Sequence, residues 1–118
     1  MYYTYILRTE GGSLYTGITC NMFRRMAEHK TQGKRCAKYT KSRKIVSLEA
    51  LWSSENRQTA SRLEYALKTL TKKEKEALLK NPHSLSCLLP QIEKEDYIHH
   101  PKANLALFLK EITLDRLP

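Results

Sequence analysis

Residues 2–29, YYTYILRTEGGSLYTGITCNMFRRMAEH, constrain the fold more than any other stretch of the chain. Residues 2–7 alternate and are rich in aromatic and β-branched side chains, which predicts a strand. Tyr3, Tyr5 and Leu7 would share one face, and Tyr2, Thr4 and Ile6 the other. Residues 8–13, with Gly11-Gly12, read as a hairpin loop, because glycine adopts positive φ without steric cost. Residues 14–18 predict a second strand that carries Tyr15 and Gly17 on one face. A one-residue slip would turn Tyr15 away from Tyr5, and the pattern does not exclude it. The expectation here is that both phenols share a face. Thr19 or Asn21 can cap a helix over about residues 22–30. Met22, Phe23, Met26 and Ala27 form its apolar stripe, with Arg25 and His29 one turn apart beside it.

Charge gives this stretch a direction. The chain carries a formal net charge of +9 in 118 residues. From Arg24 to Lys44 there are nine basic residues against the single acid Glu28, whereas residues 91–118 carry four basic and five acidic ones. The excess therefore follows the phenol-bearing hairpin directly. Clustered Lys and Arg suit a polyanion, with nucleic acid the commonest, although the same cluster could be a solvated face that aids solubility.

Beyond the basic loop of residues 33–44, which holds one aromatic, Tyr39, the chain returns to regular patterns. Residues 45–52 have the length and β-branched content of a third strand, and Ser54 is a plausible cap for the next helix. Over residues 59–70, Ala60, Leu63, Ala66, Leu67 and Leu70 recur at helical spacing, with Glu64 at the edge of the stripe. Residues 71–80 predict a further helix opened by a Thr71/Glu74 capping box and broken at Asn81-Pro82. Residues 104–114 could form a short amphipathic helix. The order is β-β-α-β-α-α plus a C-terminal extension. It predicts a small α/β sandwich of the α+β type, with a three-stranded, mostly antiparallel sheet flanked by helices. Residues 1–82 would form the main domain, and residues 83–118 an extension packed on it.

Several classes are disfavoured. No apolar run approaches the ~20 residues needed to cross a bilayer, and the N-terminus lacks the basic-then-apolar pattern of a secretory leader. Cys20, Cys36 and Cys87 are odd in number and lack metal-type spacing, so they read as reduced thiols of a cytoplasmic protein.

Taken together, these residues resemble the GIY-YIG nuclease superfamily, in its small single-domain bacterial branch. Tyr3-Thr4-Tyr5 is similar to the first half of the family motif and Tyr15-Thr16-Gly17 to the second. Arg25, eight residues past Gly17, matches the family's helical arginine, His29 a histidine one turn later, and Glu64 the acidic metal ligand of a later helix. The resemblance covers about residues 1–80. Tyr3 stands where the motif usually opens with glycine. In the basic loop, Cys36 replaces a glycine and Lys44 a proline.

The resemblance implies a catalytic set of Tyr5, Tyr15, Arg25, His29 and Glu64. Tyr5 would take the proton of the attacking water, supported by Tyr15. A phenol of pKa ~10 can do this only when nearby cations favour its phenolate. Arg25 offers a fixed fork of donors to phosphate oxygens. His29 could bond the phosphate or a phenol, or relay a proton. Glu64 would be the sole protein ligand of one Mg²⁺ or Mn²⁺, held weakly without substrate. Gly17, Arg24, Lys34, Arg35, Lys38, Tyr39, Lys41, Arg43 and Lys44 would contact nucleic acid, Gly17 by letting backbone approach the phosphate or the helix. Read without the resemblance, Tyr5 is a half-buried strand aromatic, Arg24 a surface arginine, His29 a partly exposed polar residue, and Glu64 an i, i+4 partner of Lys68.

The function implied is metal-dependent endonucleolytic hydrolysis of DNA, open to structure selectivity and to roles in repair or processing. Two other classes stay open: a DNA- or RNA-binding module without hydrolysis, and a nuclease-like subunit that recruits a protein partner through its extension. In the last case, truncation after Lys80 would leave cutting intact. Oligomeric state has no sequence signal here.

Overall fold

The computed structural model of the chain describes residues 1–31 and 44–109. Its frame is an antiparallel sheet of order β2-β1-β3-β4, built from β1 (Tyr2–Thr9), β2 (Leu14–Thr19), β3 (Ile45–Ser54) and a two-residue β4 (Ile98–His99). The described sheet thus has four strands rather than three. The added strand comes from the extension, where Ile98 and His99 pair with Ser53 and Trp52. Two residues between prolines give no alternation to read, so this strand is a tertiary event.

β1 lies inside the sheet and is buried on both faces. Tyr5 and Leu7 pack with Met22 and Met26 of α1 (Met22–Thr31) and with Leu48, Leu51, Leu105 and Phe108. Ile6 packs on the other side against α2 (Arg57–Lys68) through Leu63 and Leu67, and the same cluster takes in Leu78 of α3 (Lys72–Lys80). Thr4 pins strand to helix by donating its hydroxyl to the carbonyl of Ala60 at 3.2 Å. Helices therefore flank the sheet on both faces, as the apolar stripes require.

Local chemistry explains the boundaries. β1 runs two residues beyond its predicted end because Arg8 and Thr9 still pair with Ser47 and Ile45 of β3. Gly12 turns the hairpin at φ +88°, where other residues are strained. The cap of α2 is Asn56 and not Ser54. Ser54 is still in β3, and the Asn56 side chain accepts from the backbone N–H of Thr59 at 2.9 Å. The Thr71/Glu74 capping box of α3 is present in both directions.

The extension packs into the fold. Leu85, of the short helix α4 (Leu85–Leu88), joins Leu89 and Ile92 in the α2 core, and the helical residues 105–109 bring Leu105 and Phe108 to the α1 core. Tyr97 donates its hydroxyl to the carbonyl of Thr59 at 2.6 Å. Truncation after Lys80 would therefore strip apolar residues from both clusters. Of the predicted 104–114 helix, residues 110–114 lie outside the described residues. Among those described, no helix is long and apolar enough to cross a membrane.

A bulge adds one electrostatic clamp. Ile6 pairs with Ala50 and Leu7 with Leu48, so Glu49 is the extra residue of β3. Its carboxylate accepts from Arg8 at 3.2 Å, while Glu76 of α3 receives two parallel bonds from the same guanidinium at 2.7 and 2.8 Å. The Arg8 hydrogen bond, outweighing some burial, holds the Glu76 carboxyl below the usual range. A depressed carboxyl stabilises the fold above its unfolded pKa, and that contribution fades as pH falls through the folded value. Replacing Arg8 with Met should cost about 1 kcal/mol at pH 7, since the trio is only partly screened from water. The difference from wild type should shrink below about pH 4 and in high salt, as read by urea unfolding.

Candidate active site

The site is built around the oxygen of Tyr5. β1 and β2 pair with Tyr5 opposite Gly17 and Leu7 opposite Tyr15, which puts both phenols on one face. Their ring centroids lie 6.4 Å apart. The missing side chain at Gly17 makes room for this. A Cβ there would sit 2.5 Å from the Tyr5 hydroxyl and 2.7 Å from the carbon bearing it. Glycine is thus needed beneath the phenol itself.

α1 supplies the partners. Asn21 is its side-chain cap, accepting from the backbone N–H of Arg24 at 3.0 Å, while Thr19 accepts from the N–H of Asn21. The stripe of Met22 and Met26 turns Arg25 and His29 toward the hairpin. Arg25 Nε donates to the Tyr5 oxygen at 3.3 Å, and the guanidinium also bonds Tyr15 and, at 3.2 Å, Glu28. His29 Nε2 lies 3.0 Å from the Tyr5 oxygen, and the imidazole meets both phenol rings edge-on. With a neutral phenol and a neutral ring, the phenolic proton is best satisfied by donation to Nε2, which leaves the ring proton on Nδ1. Nδ1 has no partner among the described residues.

Burial dominates the electrostatics. Tyr5 and His29 are both fully buried, so His29 is not the partly exposed residue that its polarity suggested. Burial raises the Tyr5 phenol well above its ordinary value, and Arg25 only partly offsets this, so Tyr5 is neutral at physiological pH. Burial, aided by the charge of Arg25, pushes His29 down to about 4. For Arg25 itself burial opposes the charge, but the phenols and Glu28 outweigh it and the guanidinium stays protonated. Tyr15 is half-buried and Arg25 keeps 23% of its side-chain surface, so these two groups form the open rim.

Glu64 reaches the site by field rather than by contact. Its charge is felt at Tyr5 as a small raising effect. One carboxylate oxygen is bonded to Lys68 at 3.3 Å, as i, i+4 spacing alone would give. Glu64 and Arg25 thus act on a common phenol from separate helices. Among the described residues no cluster of three or more His, Cys, Asp or Glu could hold a metal. A single partly exposed carboxylate with one oxygen unbonded among the described residues suits an ion that completes its shell with water and substrate.

The GIY-YIG catalytic-domain profile matches residues 1–77. The chain belongs to the GIY-YIG family. It is 41% identical to a UPF0213 protein of Fusobacterium nucleatum, over 70% of this chain and 81% of that one. A UPF0213 protein of Yersinia enterocolitica is 40% identical, over 75% and 91%. The solution structure of a UPF0213 protein from Bacillus halodurans is 38% identical, covers 68% of this chain and 84% of its own, and superposes with a TM-score of 0.44.

Within this GIY-YIG domain the sequence-derived set divides. Tyr5, Tyr15, Gly17, Arg25 and His29 converge, Glu64 lies within electrostatic reach, and Arg24 and Lys44 are exposed. Lys34, Arg35, Lys38, Tyr39, Lys41 and Arg43 fall outside the described residues. Glu28, which bonds Arg25, was not expected at the site from the sequence. Its i, i+3 spacing was the available signal.

Two measurements probe this geometry. His29 keeps a folded pKa below its unfolded value, so stability is full above about pH 6.5 and is lost as pH falls toward 4. Wild type should lose about 2–3 kcal/mol more than His29→Gln between pH 7 and 4.5, as read by denaturant unfolding at each pH. Gly17→Ala should displace the Tyr5 ring, cost about 1–3 kcal/mol, and shift the NMR resonances of the His29 imidazole.

Proposed function

We propose that this GIY-YIG domain is a divalent-metal-dependent endonuclease that hydrolyses DNA phosphodiesters and acts in the processing or repair of branched, damaged or single-stranded DNA in the cytoplasm. The observation that carries this reading is the shared Tyr5 oxygen, which accepts from Arg25 and donates to a neutral imidazole beneath an open rim.

In this reading the phosphate meets Arg25 and Tyr15 at the rim, with Arg24 and Lys44 and the basic loop gripping flanking phosphates. Such contacts position a strand without reading its sequence. As the attacking water bonds to phosphorus its proton passes to the Tyr5 oxygen and the Tyr5 proton passes to His29 Nε2, while the bond from phosphorus to the nucleoside oxygen on the far side breaks and that oxygen leaves, taking its proton from solvent. A phosphate on Arg25 neutralises the charge that helps hold the imidazole pKa down, so substrate itself makes His29 a better acceptor. Arg25 stabilises the charge that builds on the non-bridging oxygens, on the order of 3 kcal/mol for a well-placed donor. Glu64 would hold a Mg²⁺ or Mn²⁺ ion, which supplies neutralisation of the phosphoryl and leaving oxygens when bound.

Nicking of supercoiled and branched DNA should require Mg²⁺ or Mn²⁺ and cease with chelator. Glu64→Gln and Arg25→Ala should each slow it by about 100-fold or more, with DNA affinity in chelator changed far less by the glutamate substitution. Gel shifts without cutting under every metal condition would instead identify a binding module.

A further inference from the structure

The strip of α2 next to Glu64 takes no part in the active site. Gln58, Ser61, Arg62 and Tyr65 follow i, i+3, i+4, i+7 spacing and so share one side of the helix. They line a groove of about 660 Å³ whose far wall is Gln91 and Ile92 of the extension, with Arg57 at its end. Three features set it apart. Tyr65 is 75% exposed, unusual for a large aromatic ring. Arg57 and Arg62 are exposed, and neither has an ion-pair partner among the described residues. Ser61 lies one turn before Glu64, about 5–6 Å away between Cβ atoms, so the groove runs along the same helix that carries Glu64.

We infer that this groove seats unpaired nucleotides of single-stranded DNA flanking the cut, with a base stacked on Tyr65 and phosphates held by Arg57 and Arg62. The inference rests on the nuclease reading for the choice of DNA. Two guanidiniums without ion-pair partners among the described residues, beside an exposed ring, match the combination that single-strand binders use: cations for the backbone and an aromatic face for any base. A paired duplex keeps its bases stacked on each other and cannot offer one to Tyr65. The groove therefore favours strands with an unpaired segment at the cut. The amides of Gln58 and Gln91 can bond base edges without demanding one base.

Fluorescence anisotropy with labelled oligo-dT of twelve nucleotides, and with a blunt duplex of equal length, tests this on the full chain in chelator. Tyr65→Ala should weaken single-strand binding by roughly 5- to 100-fold, and Tyr65→Phe should restore most of it, with duplex affinity changed less than about twofold. The Arg57→Ala/Arg62→Ala pair should lower the salt slope for the single strand by about 1.4. Equal losses for single strand and duplex, or none for either, would overturn the groove while leaving the nuclease reading intact. So would tighter binding of an equal-length RNA, or displacement of the oligonucleotide by an acidic peptide at lower concentration. Cutting that fails in wild type, alongside single-strand binding that depends on Tyr65, would instead remove the nuclease reading and keep the groove.

Discussion

The pairing of Tyr5 with Gly17 across the hairpin is the constraint on which the rest of the site depends. A phenol can cross its neighbouring strand only where that strand has no side chain, and the crossing brings its oxygen to α1. Once there, that oxygen is shared by Arg25 and His29, and the ring closes the core over Met26. One cross-strand contact thereby joins hairpin, helix and candidate site.

This construction sets a tension between stability and chemistry. Full burial keeps Tyr5 protonated and His29 neutral, which suits the core but would make either a reluctant base in the proposed reaction. The guanidinium is the only permanently charged group bonded to the phenol among the described residues, and it also lies at the rim. Binding a phosphate there changes the field at both buried groups. In the proposed reaction, charge brought by the substrate, rather than charge stored in the resting protein, would favour proton transfer.

The fold couples this centre to distant parts of the chain. β1 is buried on both faces and so packs against both helix layers: α1 positions Arg25, while α2 positions Glu64 on one side and Tyr65 on another. The extension completes both core clusters and supplies the far wall of the groove on α2. Residues with no visible chemistry therefore shape where a strand of DNA could lie.

Much of this was legible in the chain because it is written in local periodicity. Alternation marks β1, the Gly-Gly pair marks the turn, and the Thr71/Glu74 box opens α3. The spacing of Arg25 and His29 puts them on one helical face whatever surrounds them. Other features depend on what lies opposite in space. The two-residue β4, the bulge that aims Glu49 at Arg8, the choice of Asn56 as cap, and the burial of His29 arise from packing partners distant in sequence. Sequence alone determined which side chains share a face within one element, because that follows from the backbone repeat, whereas the strand register that puts Tyr5 and Tyr15 on one face belongs to the tertiary structure. Only the tertiary structure decided which of them lose water and what they then bond, because desolvation depends on atoms that another part of the chain provides.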